Sequence, residues 1–347
     1  MTDSIQIPQD ELKRIALAKG LPTRLTLEVT TACQLTCQHC YNFDRQSGSP
    51  TTSMSYETIE KLLAEAEALG VLELELTGGE ATLHPQILDI ISEAKRRHFW
   101  VVMKSHGVLS PRRTESIVRA GLDKLVVSIY GNRKVHDGFT GVRGSWEKSR
   151  AVLSQVAAMN MCRLEVSIIM HSQNYKEIKV LQAEYVELCD TVKVGKILHP
   201  RHVGGDVPES IRLSQAQWLE FYKSHYEGKP PRRAKLDQYG NRNFKCGCAT
   251  ESFAIAANGD VYPCIGVPWR SGSIHENSLR EIWEGSEVFQ KVRNLKNSDY
   301  KHCQDCTLKQ YCERIAPSAY MASQDYLGFQ PAQCDQAQAH ADYAKDR

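Results

Sequence analysis

The chain has 347 residues, of which 41% are hydrophobic, and its 43 basic and 41 acidic side chains leave a formal net charge of +2. This even balance provides no electrostatic footprint for nucleic acid or an anionic membrane. The longest apolar runs are strand-sized, too short for a membrane span, and the polar N-terminus has no stretch typical of a secretion signal. We therefore predict a cytoplasmic protein with no nucleic-acid or membrane partner and enough residues for two domains.

Strand and helix patterns alternate through the first 200 residues. An amphipathic helix at 11–18 precedes a β-rich segment at 24–29, and helical periodicity covers 55–69, with Ser55 as N-cap and Gly70 just past the end. The further predicted strands are 71–76, 99–104, 124–130, 163–170 and 191–197, and the further helices are 86–97, 112–120, 145–159 and 175–189. Six strands alternating with helices predict a parallel sheet with covering helices, and such folds place chemistry where the strands end.

Cysteine usage is uneven. Twelve cysteines in a chain predicted to be cytoplasmic favour metal ligation over disulfides, because that compartment keeps thiols reduced. Three lie at 33–40, directly after the first predicted strand, two are isolated, and seven lie between 246 and 334.

The first three, Cys33, Cys37 and Cys40, can hold three corners of a cubic iron–sulfur cluster. The run offers no fourth cysteine, so one iron is left without a protein ligand and is open to chemistry. A structural zinc site or buried thiols are the alternatives. Zinc, however, takes four ligands, usually from paired Cys-x2-Cys units, and the aromatic Tyr41 that follows at once fits zinc poorly.

The spacing Cys-x3-Cys-x2-Cys followed by an aromatic residue resembles the signature of the radical S-adenosylmethionine (SAM) enzymes. The resemblance implies an α/β fold with a partial, TIM-like (β/α)6 barrel and a [4Fe-4S] cluster whose open iron binds SAM through its amino and carboxylate groups. It also implies a flavodoxin- or ferredoxin-type electron donor. The electron cleaves SAM to a 5′-deoxyadenosyl radical, which abstracts hydrogen from a substrate C–H bond. Tyr41 is among the residues expected at the cofactor.

A second motif follows the predicted strand 71–76. Gly78, Gly79 and Glu80 resemble the family's Gly-Gly-Glu stretch, which contacts the SAM amino group. The glycines let the backbone approach a ligand closely, and Glu80 could accept a hydrogen bond from an ammonium group. Ala81 stands where the family often has proline. Taken alone, the motif is also compatible with an ordinary turn.

Three further positions are expected to contact SAM by the same resemblance. Ser105 begins Ser-His-Gly after the third strand, where relatives often carry Thr-Asn-Gly, and Ser128 ends the fourth strand, where relatives often place a serine for the ribose. Arg143 lies in a glycine-flanked loop and could form a bidentate pair with the SAM carboxylate. The alternative for each is a loop or cap residue.

The C-terminal cysteines resemble the SPASM domain, an auxiliary-cluster module attached to some radical SAM enzymes. They are Cys246, Cys248, Cys264, Cys303, Cys306, Cys312 and Cys334. The resemblance assigns the last four to an outer cluster and the first three to an inner cluster, which gives one or two auxiliary clusters.

One position departs from the SPASM pattern. Ala316 stands where a fourth cysteine of the inner cluster is expected, so that site is either open or filled by water, substrate or another side chain. A zinc-ribbon-like fold on the outer four cysteines is the alternative, because an all-thiolate ligand set does not distinguish zinc from a cubane.

The isolated cysteines, Cys162 at the start of the fifth strand and Cys189 at the end of a helix, have two interpretations. One is a buried small hydrophobic side chain. The other is a thiol that returns a hydrogen atom to a substrate radical, as radical epimerases require, which needs the sulfur to face the mouth of the barrel.

The predicted organisation is an N-terminal helix at 1–23, the barrel at 24–200, a bridge at 201–245, the SPASM domain at 246–334 and a tail at 335–347. The residues before 21 are too few for the separate leader-peptide-binding domain of many peptide-modifying relatives. The predicted function is radical oxidation, epimerisation or cross-linking of a ribosomal peptide or protein. The alternatives are the same chemistry on a small natural-product intermediate, for example as an aminoglycoside epimerase or dehydrogenase, and a non-catalytic iron–sulfur or zinc scaffold.

Overall fold

The predicted alternation of strands and helices forms over most of the chain. A computed structural model describes residues 9–41, 51–196, 198–199, 210–227 and 246–346. The strands are β1 (Arg24–Thr30), β2 (Glu73–Gly78), β3 (Trp100–Ser105), β4 (Lys124–Ile129), β5 (Arg163–Ile169), β6 (Thr191–Gly195), β7 (Ser252–Ile255), β8 (Asp260–Tyr262) and β9 (Gly272–Ser273). The helices are α1 (Gln9–Ala18), α2 (Tyr56–Leu69), α3 (Ile87–Arg96), α4 (Pro111–Arg119), α5 (Arg133–Thr140), α6 (Ser145–Met159), α7 (Ile178–Val186), α8 (Gln215–Tyr226), α9 (Leu279–Gly285), α10 (Glu287–Asn294), α11 (Lys301–Gln304), α12 (Ala316–Ser323) and α13 (Pro331–Lys345).

The first six strands pair in parallel and in chain order, from β1 to β6. Parallel neighbours need crossover connections, which the intervening helices provide. The sheet does not close, since β6 forms one edge. The predicted α/β fold with a partial barrel is confirmed, and the carboxyl ends of β1 to β4 lie side by side.

Alternation along the strands separates a hydrophobic face from a polar face. Leu25 and Leu27 of β1 are fully buried in a core of strand and helix side chains. The opposite face lines an open cleft of about 1020 Å³, and Glu75 and Lys104 are among the side chains on its wall. These two charges pair across β2 and β3, with 2.9 Å between Lys104 Nζ and Glu75 Oε1.

The C-terminal region continues the same sheet. Strand β7 pairs in parallel with β1, and β8 and β9 add an antiparallel extension. Helix α9 also contacts the barrel, because the Trp283 indole donates to the Gly20 carbonyl at 2.7 Å and the Leu279 amide donates to Glu65 at 2.6 Å. The sequence motifs indicate a cysteine module here but do not predict that its backbone joins β1.

Helix ends agree with the capping prediction where the signal is local. The Ser55 hydroxyl accepts from the Thr58 amide at the start of α2, and Gly70 ends that helix in the left-handed conformation. The sequence pattern does not predict α5, an eight-residue helix between β4 and α6. The predicted helix at 175–189 is a 3₁₀ turn followed by α7, so Cys189 lies beyond the helix end, and Cys162 lies just before β5 rather than within it.

Most of the predicted bridge at 201–245 lies outside the described residues, as does the end of the predicted strand 191–197. The predicted tail at 335–347 is mostly helical, and its helix begins before the tail, at Pro331, so that it includes Cys334. Among the described residues, no helix has the length and apolar character needed to cross a membrane.

Candidate active site at the carboxyl ends of the strands

The loop that carries Cys33, Cys37 and Cys40 leaves the carboxyl end of β1. It is tied to α5 by backbone hydrogen bonds, from the Thr36 amide to the Thr140 carbonyl at 2.9 Å and from the Gln38 amide to the Phe139 carbonyl at 3.0 Å. Three cysteines are thereby held at the mouth of the barrel. This is the position that strand topology predicts for chemistry.

Gly78 and Gly79, at the end of β2, pack directly against this cysteine loop. The Gly79 amide donates to the Thr30 carbonyl and the Glu80 amide donates to the Ala32 carbonyl, both at 2.7 Å. A Cβ atom at Gly78 would lie 2.2 Å from the Thr30 oxygen, and one at Gly79 would lie 2.0 Å from the Ala32 oxygen. Both positions therefore require glycine because the backbone there packs against the cysteine loop.

Glu80 is 1% exposed and its carboxylate binds protein groups on both sides. One oxygen accepts from the Thr82 hydroxyl at 2.8 Å, and the other accepts from the His106 amide at 3.0 Å. His106 Nε2 also lies 3.1 Å from that second oxygen. The His106 Nδ1 atom accepts from the Val108 amide, which places the ring proton on Nε2, facing Glu80. Glu80 thus joins the loops after β2 and β3.

An aromatic layer adjoins the cysteine loop, and sequence reasoning missed it. Tyr130 stacks on Phe139 with 4.5 Å between ring centroids. Burial, and then the charges of the three nearby cysteines, raise the pKa of Tyr130 well above the usual tyrosine value. The His39 ring lies 5.0 Å from that of Tyr130. Burial, with smaller contributions from two other histidines, lowers the pKa of His39 to about 3, so its ring is neutral. The only signal in the sequence is that Tyr130 ends a predicted strand and His39 lies between two cysteines.

Tyr41 is anchored to the first strand. Its hydroxyl donates to Glu28 Oε1 at 2.6 Å, and Glu28 is buried on β1. The aromatic residue after the third cysteine therefore fixes the end of the loop to the sheet.

The three further positions predicted to contact SAM lie near the carboxyl ends of β3 and β4 and on the loop between α5 and α6. Ser105 is buried, and its hydroxyl accepts from the Gly107 amide at 3.0 Å. Ser128 lies on β4, in register with Ser167 of β5. Arg143 is exposed on the loop between α5 and α6.

Asp137 fixes the loop that carries Arg143. Its carboxylate accepts from the Gly144 amide at 2.7 Å, the Trp146 amide at 2.9 Å and the Ser145 hydroxyl at 3.0 Å. Burial acts to raise the pKa of Asp137, but these hydrogen bonds outweigh it and lower the pKa below the usual aspartate value. The ionised carboxylate thus caps the start of α6 and holds the loop in place.

The four outer C-terminal cysteines converge. Cys303, Cys306, Cys312 and Cys334 line one cavity of about 210 Å³. Burial, and then the charges of the other three, raise the pKa of Cys334 to about 11. Four thiols around one cavity form a donor set that fits a cluster.

The inner three, Cys246, Cys248 and Cys264, form a second group. A hydrogen bond with Cys248, opposed by burial, lowers the pKa of Cys246 to about 6. The Tyr326 hydroxyl lies 3.2 Å from Cys246 Sγ. Ala316, at the position where the SPASM pattern has a further cysteine, is fully buried.

Among residues 9–41, 51–196, 198–199, 210–227 and 246–346, no three histidine, cysteine, aspartate or glutamate side chains meet closely enough to ligate a single metal ion. A cluster distributes its thiolates over different irons, so it accepts a wider spread of sulfurs than one zinc ion does.

The structure does not bring Cys162 or Cys189 to the site. They precede β5 and β6, at the amino ends of the strands, whereas the cysteine loop follows the carboxyl end of β1. Burial raises the pKa of Cys162 to about 11, and the Cys189 thiol donates to the Tyr185 carbonyl at 3.0 Å. Both features fit half-buried structural thiols.

Comparison with known families identifies the class of protein. Residues 27–183 match the Radical SAM superfamily, and residues 246–307 match SPASM, an iron–sulfur cluster-binding domain. The chain belongs to the radical SAM superfamily and carries a C-terminal SPASM domain. It is therefore an enzyme that uses radical chemistry, with SAM and [4Fe-4S] clusters as its cofactors.

Individual relatives cover most of the chain. The AdoMet-dependent heme synthase of Methanosarcina barkeri is 27% identical over 344 residues, which cover 89% of this chain and 95% of the relative. The PqqA peptide cyclase of Bradyrhizobium diazoefficiens is 26% identical over 296 residues, covering 79% and 76%. Streptococcus suis SuiB bound to precursor peptide SuiA has a similar fold, with a TM-score of 0.68, 17% identity and coverage of 96% and 82%.

Replacing Gly79 by alanine tests the packing of the cysteine loop. The added Cβ would lie 2.0 Å from the Ala32 oxygen, so the loop must move, at a cost of roughly 1–3 kcal/mol as in other overpacked sites. We expect lower stability and loss of the iron held by the first three cysteines, measured as iron per chain after anaerobic reconstitution. The matched control is Gly138→Ala, where nothing lies within 4 Å of the new Cβ. Equal iron in both variants would contradict the packing account.

Replacing Asp137 by alanine tests the clamp on the Arg143 loop. Loss of a capping carboxylate costs about 1 kcal/mol. A carboxyl with a lowered pKa stabilises the fold at all pH values above the ordinary aspartate pKa, and this contribution is lost only as the pH falls through the lower value of the folded state. The difference in unfolding free energy from the parent is therefore expected to stay constant from about pH 8 to about pH 5, measured by urea unfolding. Below the ordinary aspartate pKa the difference is expected to shrink, because the unfolded state binds the proton first and the folded carboxyl binds it only at the lower pKa. A difference that shrinks already above pH 5, or one that does not shrink below the ordinary value, would show that the pKa is not lowered. The exposed Asp89→Ala change provides the control.

Proposed function

We propose that Cys33, Cys37 and Cys40 hold the cluster that cleaves SAM. The observation that carries this proposal is their position, on one loop at the mouth of the barrel and against Gly78 and Gly79. When reduced and bound together, the cluster and SAM supply a 5′-deoxyadenosyl radical that abstracts hydrogen from a substrate C–H bond. The roles of the protein are to hold both groups and to exclude water.

The residues around that loop are proposed to position SAM. Gly78 and Gly79 pack against the cysteine loop, and Glu80 binds the amide of His106, the residue that follows Ser105. Ser128 and Arg143 are proposed to contact the ribose and the carboxylate. Tyr41, bound to Glu28, is proposed to fix the loop at the cofactor.

The proposed substrate is a ribosomally made peptide or a protein side chain, modified by oxidation, epimerisation or cross-linking. Two of the similar proteins support this class: one is named a peptide cyclase, and the other is bound to a precursor peptide.

A small molecule is the second candidate substrate. The heme synthase matches this chain along 95% of its own length, further than the peptide cyclase does. Because this relative is named a heme synthase, a tetrapyrrole is the small-molecule substrate that the similarity favours. In either case we propose a flavodoxin- or ferredoxin-type electron donor and a cytoplasmic location.

Replacing Cys33, Cys37 and Cys40 together by alanine is expected to abolish formation of 5′-deoxyadenosine. The measurement is liquid chromatography of anaerobically reconstituted, dithionite-reduced protein incubated with SAM. The Cys162→Ala/Cys189→Ala double variant is the matched control and retains SAM cleavage, because both thiols lie at the opposite end of the strands. SAM cleavage by the triple variant would overturn the assignment of the cluster ligands.

The substrate class is tested with the unmodified enzyme. Short peptides encoded beside its gene and a panel of tetrapyrroles are each incubated with enzyme, SAM and reductant, and each substrate is deuterated at its C–H positions. Deuterium in 5′-deoxyadenosine together with a mass change in a peptide supports the first candidate. Deuterium transfer from a tetrapyrrole alone would reject the peptide proposal.

A further inference from the structure

The inner auxiliary site has three cysteines gathered by one short β-structure. Cys248 and Cys264 flank it, since the Ala249 amide donates both to the Ser252 carbonyl at 2.8 Å and to the Pro263 carbonyl at 3.3 Å. Cys246 lies two residues earlier, and hydrogen bonding links its thiol to that of Cys248. These three thiols supply all but one ligand of a cubane.

Ala316, at the position expected to supply the last ligand, begins α12 and is fully buried. A methyl group cannot ligate iron, so the Ala316 side chain supplies no ligand. Any protein ligand must therefore come from another part of the chain.

Tyr326 reaches the same thiols from the far end of α12. That helix ends at Gln324 in the left-handed conformation, and the chain turns back. The Arg314 guanidinium fixes the turn by donating to the Tyr326 carbonyl at 2.6 Å and to the Gly328 carbonyl at 2.9 Å. The Tyr326 side chain is 5% exposed, and its hydroxyl oxygen lies 3.2 Å from Cys246 Sγ.

We propose that the phenol oxygen of Tyr326 is the fourth protein ligand of the inner auxiliary cluster, together with Cys246, Cys248 and Cys264. On cluster assembly the phenol oxygen would leave its hydrogen bond with Cys246 for a neighbouring iron, because ligands of different irons in a cubane lie farther apart than hydrogen-bonded atoms. The O–H bond would break, its proton would leave to solvent, an Fe–O bond would form, and no iron would change oxidation state. Tyrosine is an established protein ligand of iron, as in the haem site of catalase. With Tyr326 in place, the inner cluster has no iron open to substrate and serves as an electron relay.

The proposal rests on the SPASM assignment and not on SAM cleavage, so the test uses protein in which Cys33, Cys37 and Cys40 are alanine. Only the auxiliary clusters are then present. In this background Tyr326→Phe removes the oxygen but keeps the ring. Tyr300→Phe is the matched control, because Tyr300 is equally buried, lies in the same neighbourhood and stacks on Arg314 with 4.6 Å to its ring centroid.

Resonance Raman spectra are expected to show iron-bound phenolate ring modes in the background protein and in the Tyr300→Phe variant, and to lose them in Tyr326→Phe. In EPR of the reduced clusters, added ¹³C-cyanide is expected to give hyperfine coupling only in Tyr326→Phe, where one iron has become accessible. If Tyr326→Phe does not retain the cluster, Tyr326→Cys is expected to hold it without phenolate modes, as an all-thiolate site.

Three results would overturn the proposal. They are the absence of phenolate modes from the background protein, cyanide coupling before Tyr326 is changed, and iron sufficient for only one cubane per chain. The first two would leave Tyr326 as a hydrogen-bond donor to the Cys246 thiolate. None of them bears on whether the first three cysteines support SAM cleavage, so the two proposals fail independently.

Discussion

The active site depends on one backbone contact, between the double glycine after β2 and the cysteine loop after β1. Two short hydrogen bonds and the absence of two Cβ atoms bring these chain segments within 2.7 Å. Two further sets of contacts adjoin this pair: Glu80 links it to the loop after β3, and α5 holds the cysteine loop from the other side. The glycines therefore shape the site in addition to any contact with SAM.

Continuity of the sheet couples the two iron–sulfur regions. Because β7 pairs with β1, the strand that leads into the first cysteines has the SPASM region as its hydrogen-bonded neighbour. The cysteines at 246–264 flank β7 and β8, so the proposed inner cluster site lies beside the amino end of β1, whereas the proposed radical site follows the carboxyl end of the same strand. An electron relay through the inner cluster requires that the two cluster sites be held at a fixed distance, and the shared sheet provides this.

Local signals in the sequence predicted most of the fold and led to the proposed ligand sets. The cap at Ser55, the six strand patterns and the cysteine spacings each lie within one segment of chain. Contacts between distant segments were missed, such as the pairing of β7 with β1 and the Tyr326 hydroxyl beside Cys246, 80 residues apart. Glu80 illustrates the difference: its motif leads to the prediction of a SAM contact but does not indicate that its buried carboxylate binds Thr82 and His106. Such partners depend on tertiary packing, which residue type and spacing do not encode.

The central claim is that three cysteines leave one iron open for SAM. Electron–nuclear double resonance of the reduced protein with SAM labelled at its amino nitrogen and carboxylate oxygens tests it directly. The account predicts hyperfine coupling of both labels to the cluster of Cys33, Cys37 and Cys40, and its disappearance when these residues are alanine. Bound SAM without coupling, or coupling that persists in that variant, would contradict it.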